Sequence, residues 1–195
     1  VRITDDPKVL THIDDHKART VGDLLSTKKY ANYNVLASAT GFVRAYQEFD
    51  PPFAGAATMH NGPHFQRGEI LEFVEDNPDF VAAVGEGHRA LKWTKRMLRS
   101  PSMTCALYYL TGLSAPRSTV FEKFWDAMET GVGLEATHPV LRLRQILIAN
   151  MTAPKRYDAL HVAAMVVKAW NLVHAGRVRG RIAWGASTER FPSIT

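Results

Sequence analysis

Four times between residues 100 and 155 a proline heads an apolar stretch of helical length, and this punctuation constrains the fold more than any other feature of the chain. Ser100-Pro101 reads as a cap followed by proline in the first turn, where a missing N–H costs nothing, and opens an apolar helix to Leu113. Ala115-Pro116 repeats the pattern to Glu129, with Val120, Phe121, Phe124, Trp125 and Met128 at helical spacing. His138-Pro139 starts a helix to Met151, and Pro154 starts the last and longest, reaching Ala175-Gly176. Upstream, Leu36, Ala39, Val43 and Tyr46 set an amphipathic helix over Tyr33 to Phe49, ended by Asp50-Pro51-Pro52. Thr20 with Asp23 marks a short helix through Leu25. Gln66 to Glu75 and Asp79 to Leu98 read as two helices meeting at a tight corner, Asp76-Asn77-Pro78. The expected fold is all-α: a compact bundle of about seven to eight helices with a short extended segment, Arg181 to Trp184, near the C-terminus.

Residues 1–19 read as an irregular lead-in and 20–195 as a single helical domain, with a sub-boundary in the loop 50–65. A chain of 195 residues, 46% hydrophobic and 22% charged, buries a sizeable core without staples. Its one cysteine, Cys105, lies in the apolar run to Leu110, so it reads as a buried hydrophobe in a reducing, cytoplasmic setting. No run approaches the ~20 apolar residues of a membrane span, and the first residues lack a signal-peptide layout. A soluble intracellular protein is expected.

Charge is divided unevenly. Val1 to Gly85 hold 8 Lys plus Arg against 12 Asp plus Glu, whereas Glu86 to Thr195 hold 16 against 7. Concentrated like charge opposes compaction, so it points outward, to a polyanionic partner. Nucleic acid, with double-stranded DNA first, is the expected partner, and an acidic protein the alternative. The acidic first half folding back over the basic half would hide this charge.

Two basic groups are the candidate contacts. If the pair of helices around Asp76-Asn77-Pro78 is a helix-turn-helix, His88, Arg89, Lys92, Lys95, Arg96 and Arg99 form the contact set, most of them on i, i+3, i+4 rows of the second helix. The second group surrounds the last helix: Arg142 and Arg144 before it, Lys155 and Arg156 at its start, and Arg177, Arg179 and Arg181 after it. Alternation at the last three sets guanidiniums on one face of an extended arm able to track phosphates.

Other constellations read as structural. His12 with His16, and His60 with His64, have the i, i+4 spacing of a zinc pair, but neither sits in a clear helix. Asp5-Asp6, Asp14-Asp15 and the group Glu72, Glu75, Asp76 and Asp79 lack a partner motif for magnesium chemistry. Neither metal nor cofactor is expected, and no nucleophile or phosphate loop names a reaction. Trp170 reads as core, and Asn171 as satisfying backbone groups.

Gly131-Val132-Gly133-Leu134, His138 to Arg144, Lys168-Ala169-Trp170-Asn171, Arg177 to Trp184 and Phe191-Pro192 together resemble the C-terminal helical region of uncharacterised phage and plasmid proteins that carry a ParB-like N-terminal domain. Ile13 to Leu25 is similar to the junction between the two parts. The resemblance implies the helical portion without its ParB-like part, and with it a DNA-handling role rather than an activity. Gly85-Glu86-Gly87-His88-Arg89 imitates the family's Gly-x-His-Arg box, which would imply nucleotide binding through Gly87, His88 and Arg89, but it lies out of the family's order. Three functions follow in sequence: DNA binding, docking on an acidic host protein, and an enzyme acting on nucleotide or nucleic acid.

Overall fold

The computed structural model describes residues 33–48, Phe53, 67–116 and 118–195. Among them are eight helices and no strand: α1 (Tyr33–Glu48), α2 (Arg67–Asp76), α3 (Pro78–Ala90), α4 (Lys92–Leu98), α5 (Pro101–Ser114), α6 (Thr119–Thr130), α7 (Pro139–Thr152) and α8 (Ala159–His174). The lead-in, the helix expected near Leu25, the loop 50–65 apart from Phe53, and both histidine pairs lie outside the described residues. No described helix is long and apolar enough to cross a membrane.

Two apolar helices form the centre. On α5, Met103 to Leu107, Tyr109 and Leu110 are buried, and α1, α3, α4, α6 and α8 all pack against it. On α8, Val162 to Val167 are buried without interruption. A helix apolar on every side must be covered on every side, and the amphipathic helices supply that cover. Polar atoms in this core find partners. The buried Trp170 donates Nε1–H to Ser114 Oγ at 3.1 Å, and Trp125 donates to Thr111 Oγ1 at 3.0 Å. Thr40 and Thr111 return their hydroxyls to the carbonyls four residues back. Cys105 is buried as expected, and burial pushes its thiol up to about 11, leaving it inert.

Capping explains most helix starts. Ser100 accepts from Met103 N with Pro101 in the first turn, and His138 Nδ1 accepts from Val140 N before Pro139. Ser118 caps α6 instead of Ala115-Pro116, because its hydroxyl takes Phe121 N. The last helix starts at Ala159, not Pro154: Asp158 caps His161 N, and Tyr157 N–H is drawn across to Asn150 Oδ1 at 2.8 Å. At 16 residues it equals α1 in length.

The expected helix over Asp79 to Leu98 is two helices. The chain leaves helical geometry at the buried Leu91 (φ −92°, ψ 64°), and α4 begins beyond it. Its first turn is held from elsewhere, since the carboxylate of Glu129 on α6 accepts from Trp93 N, Thr94 N and Thr94 Oγ1. An acidic group at a helix N-terminus also meets the positive end of the dipole. Gly87 is buried against the ring of Tyr108, where a Cβ would sit 3.3 Å away, so its lack of a side chain lets α3 close on α5.

The Arg181 to Trp184 segment is extended but forms no strand. It belongs to a C-terminal strap laid along α8 in two limbs. The outgoing limb is tied by Arg142 Nη1 to Gly180 O at 3.1 Å and by Lys168 Nζ to Ala183 O at 2.8 Å. Helix side chains thus replace the ladder partner that a strand needs. The return limb is held by Asn171, which donates to Ser193 O and accepts from Thr195 N. Its Phe191 packs edge-on against Tyr46, Phe53 and Trp184.

Candidate nucleic-acid interface

The helix-turn-helix expectation is not met as drawn. The corner is present, with Asn77 Nδ2 donating to Phe73 O and Pro78 in the first turn of α3. The first part of α3, which in such a motif meets the bases, exposes Asp79, Ala82 and Glu86. Those carboxylates have the wrong sign for DNA. Only His88 and Arg89 of the contact set lie on α3, and the other four follow the break at Leu91. Burial, and then the Lys95 charge, hold the His88 imidazole below its ordinary value, so it adds no positive charge at neutral pH.

The structure sorts the remaining cations into internal ties and free surface. Arg144 is a correction: it is 8% exposed, and its guanidinium donates to Met128 O and, at 3.0 Å, to Glu129 O, closing the C-terminus of α6. Gly131, with φ of 67°, ends α6 beneath it, and a Cβ there would stand 2.5 Å from Arg144 Nε. Arg142 is half-buried and ties the strap. Lys95 Nζ bonds His88 O, and Arg96 lies 4.9 Å from the centroid of the Trp93 ring. Arg181 pairs with Glu189 at 3.1 Å. Arg89, Lys92, Arg99, Lys155, Arg156, Arg177 and Arg179 are exposed, and none forms an ion pair among the described residues.

Two sequence-distant segments that carry these free cations meet. Arg99 and Ser100, between α4 and α5, line the same cavity as Tyr157, Asp158 and Ala159, which follow directly on Lys155 and Arg156. From there three rings continue along the surface. Tyr157, 50% exposed, stacks on His161 at 5.9 Å between centroids with 22° between planes, and His161 meets Trp184 edge-on at 4.8 Å. Trp184 belongs to the strap, whose outgoing limb runs back beside α8 to Arg181, Arg179 and Arg177. Cations therefore stand at both ends of α8, about 24 Å apart at 1.5 Å per residue, with aromatic rings at one end. The aromatic row was not foreseen from sequence. Its one local signal is the i, i+4 spacing of Tyr157 and His161, and Trp184 joins only through the strap.

Glu189 fixes the strap's turn by accepting from Lys168 Nζ at 2.8 Å and pairing with Arg181. The Lys168 hydrogen bond, followed by the charges of Lys168 and Arg181, holds its carboxyl below the ordinary value of 4.5. A carboxyl lowered on folding stabilises above its unfolded pKa and loses that contribution as pH falls through the folded one. Amide resonances of residues 185–189 are expected to shift together below pH 4.5 in the wild type, and Glu189→Gln is expected to abolish that transition. An unchanged acid transition in the variant would assign it to another group.

Among the described residues no three His, Cys, Asp or Glu side chains come together as a metal site, so Glu72, Glu75, Asp76 and Asp79 form none. Comparison with family models, with curated proteins and with solved structures returns no match. The resemblance to ParB-containing proteins rests on the residues quoted for it alone.

Proposed function

We propose that this chain is a cytoplasmic DNA-binding protein that grips the phosphate backbone along α8. The observation that carries the reading is the strip just described: free cations Arg99, Lys155 and Arg156 at one end, Arg177 and Arg179 at the other, with Tyr157, His161 and Trp184 beside the first group. Its length of about 24 Å matches roughly seven phosphates along one strand at 3.4 Å each. An exposed ring, Tyr157, beside cations is what a partly unpaired strand needs, since bases stack on aromatic faces while phosphates meet guanidiniums, and the half-buried His161 and Trp184 support it. The likeness to phage and plasmid proteins accords with such a role on a mobile element. Arg89 and Lys92 lie at the other end of α4 and are secondary in this reading.

Fluorescence anisotropy of labelled duplex and single-stranded DNA provides the test. With about five phosphates neutralised, one for each free cation of the strip, log Kd is expected to vary against log salt with a slope near 4.5. A single strand binding as well as duplex would assign the rings to base stacking. No binding at low salt would overturn the reading in favour of an acidic protein partner on the same cations, which then supply encounter rate and specificity.

A further inference from the structure

A cavity opens between the starts of α5 and α8. It has a volume of about 230 Å³ and is lined by Leu98, Arg99, Ser100, Asn150, Tyr157, Asp158, Ala159 and Val162. Asn150 is the decisive residue. It is 4% exposed, its Oδ1 accepts from Tyr157 N, and its Nδ2 has no hydrogen-bond partner. The bond from Tyr157 N–H fixes the amide's orientation, because only oxygen can accept there. A buried donor without an acceptor is costly, and an acceptor from outside the chain would relieve that cost.

The other groups around the cavity point to the same kind of ligand. Arg99 is exposed, forms no ion pair among the described residues, and adopts φ of 58° as the left-handed C-cap of α4. Ser100 and Ala159 place the first turns of two helices of 14 and 16 residues at the cavity, each with N–H groups that have no intrahelical acceptor. Asp158 opposes an anion, but its oxygens are engaged: Oδ1 accepts from His161 N, and Oδ2 lies 3.1 Å from His161 Nδ1. Lys155 and Arg156 directly precede the lining residue Tyr157 in the chain.

We propose that this cavity seats a phosphate group, held by Asn150 Nδ2, Arg99 and first-turn amides of α5 and α8, and that it anchors one end of a strand bound along α8. The source of the phosphate rests on the nucleic-acid reading, whereas the phosphate site itself does not. Two sources carry the same chemistry, an internal phosphodiester and a terminal monophosphate.

Inorganic phosphate, titrated against chloride at equal ionic strength and followed by heteronuclear NMR, is expected to move the Asn150 side-chain amide and the backbone amides of Ser102, Ala159 and Leu160. Asn150→Asp keeps the acceptor for Tyr157 N while replacing the free donor with a carboxylate oxygen. Arg99→Gly removes the cation where glycine is the easier residue, so it is expected to keep the fold even if the first variant does not. Each is expected to weaken phosphate by about tenfold. No phosphate-specific shifts, or shifts unchanged in Arg99→Gly, would overturn the site and leave Asn150 to a water molecule. Short strands with and without a 5′-phosphate complete the test. A preference for the phosphorylated strand that Arg99→Gly abolishes assigns a terminal monophosphate, and equal binding weakened by Arg99→Gly assigns the backbone. Phosphate binding without any strand binding supports the cavity and sinks the nucleic-acid reading. Strand binding indifferent to both substitutions does the reverse.

Discussion

Glu129→Ala is expected to lower the free energy of unfolding by about 3 kcal/mol. The carboxylate serves three donors of α4 at once, Trp93 N, Thr94 N and Thr94 Oγ1. Thr94 is buried, so water cannot readily replace the lost acceptor. The residue also joins two halves of the structure. Its backbone carbonyl accepts from Arg144 of α7, and its carboxylate charge favours the Arg144 cation, which burial alone would disfavour. Removing the side chain therefore frays α4 and weakens the hold of α7 on the end of α6. Urea unfolding measures the total, and amide exchange at Thr94 and Lys95 locates it. Glu129→Gln retains one acceptor oxygen and is expected to cost about half as much. A loss below about 1 kcal/mol for the alanine variant would mean that water satisfies the first turn of α4 after all. The consequence for function is indirect, since α4 carries Lys92 and Arg96 and positions Arg99. Acting from the N-terminal end of α4, the substitution should weaken binding by loosening Arg99 at the helix's other end.

That node also shows where the sequence is legible and where it is not. Helices whose caps are local were readable: Ser100-Pro101 and His138-Pro139 mark α5 and α7 because the capping oxygen or ring nitrogen and the first-turn proline are contiguous. Starts set by tertiary contacts were not. Pro154 has the right character for a first turn, but Asn150 takes the Tyr157 amide and Asp158 provides the better cap, so the helix waits until Ala159. The helix start after the break at Leu91 is stabilised by a carboxylate 36 residues from Trp93, which no local pattern announces.

The candidate site divides in the same way. Net charge identified the basic half, yet charge does not distinguish a phosphate contact from a helix cap. Arg142 and Arg144, two residues apart, point about 200° apart around a helix, and one ties the strap while the other closes α6. The free cations of the strip were named from sequence. What assembled them, the strap laying Trp184 on His161 and the connection between α7 and α8 meeting Arg99, is long-range packing.

Reversing Arg99, Lys155 and Arg156 together to glutamate is expected to reduce DNA affinity about a thousandfold, roughly tenfold for each cation. The same variant should lower the salt slope by about 2.7, because three phosphates are no longer neutralised. Stability should change little, since all three side chains are exposed and none forms an ion pair among the described residues. Charge alone does not make this outcome. Arg89→Glu with Lys92→Glu changes net charge by four against six, but it acts at the opposite end of α4, about 10 Å or more from Arg99, where salt screens what remains. The strip therefore requires a steep loss in the triple variant and a loss of only a few-fold in the double one. Arg177→Glu with Arg179→Glu, at the far end of α8, should lie between them and grow with strand length, because a strand too short to span about 24 Å cannot reach both ends. Equal losses in all three variants would reduce the strip to a diffuse positive field, and with it the case for a strand seated along α8.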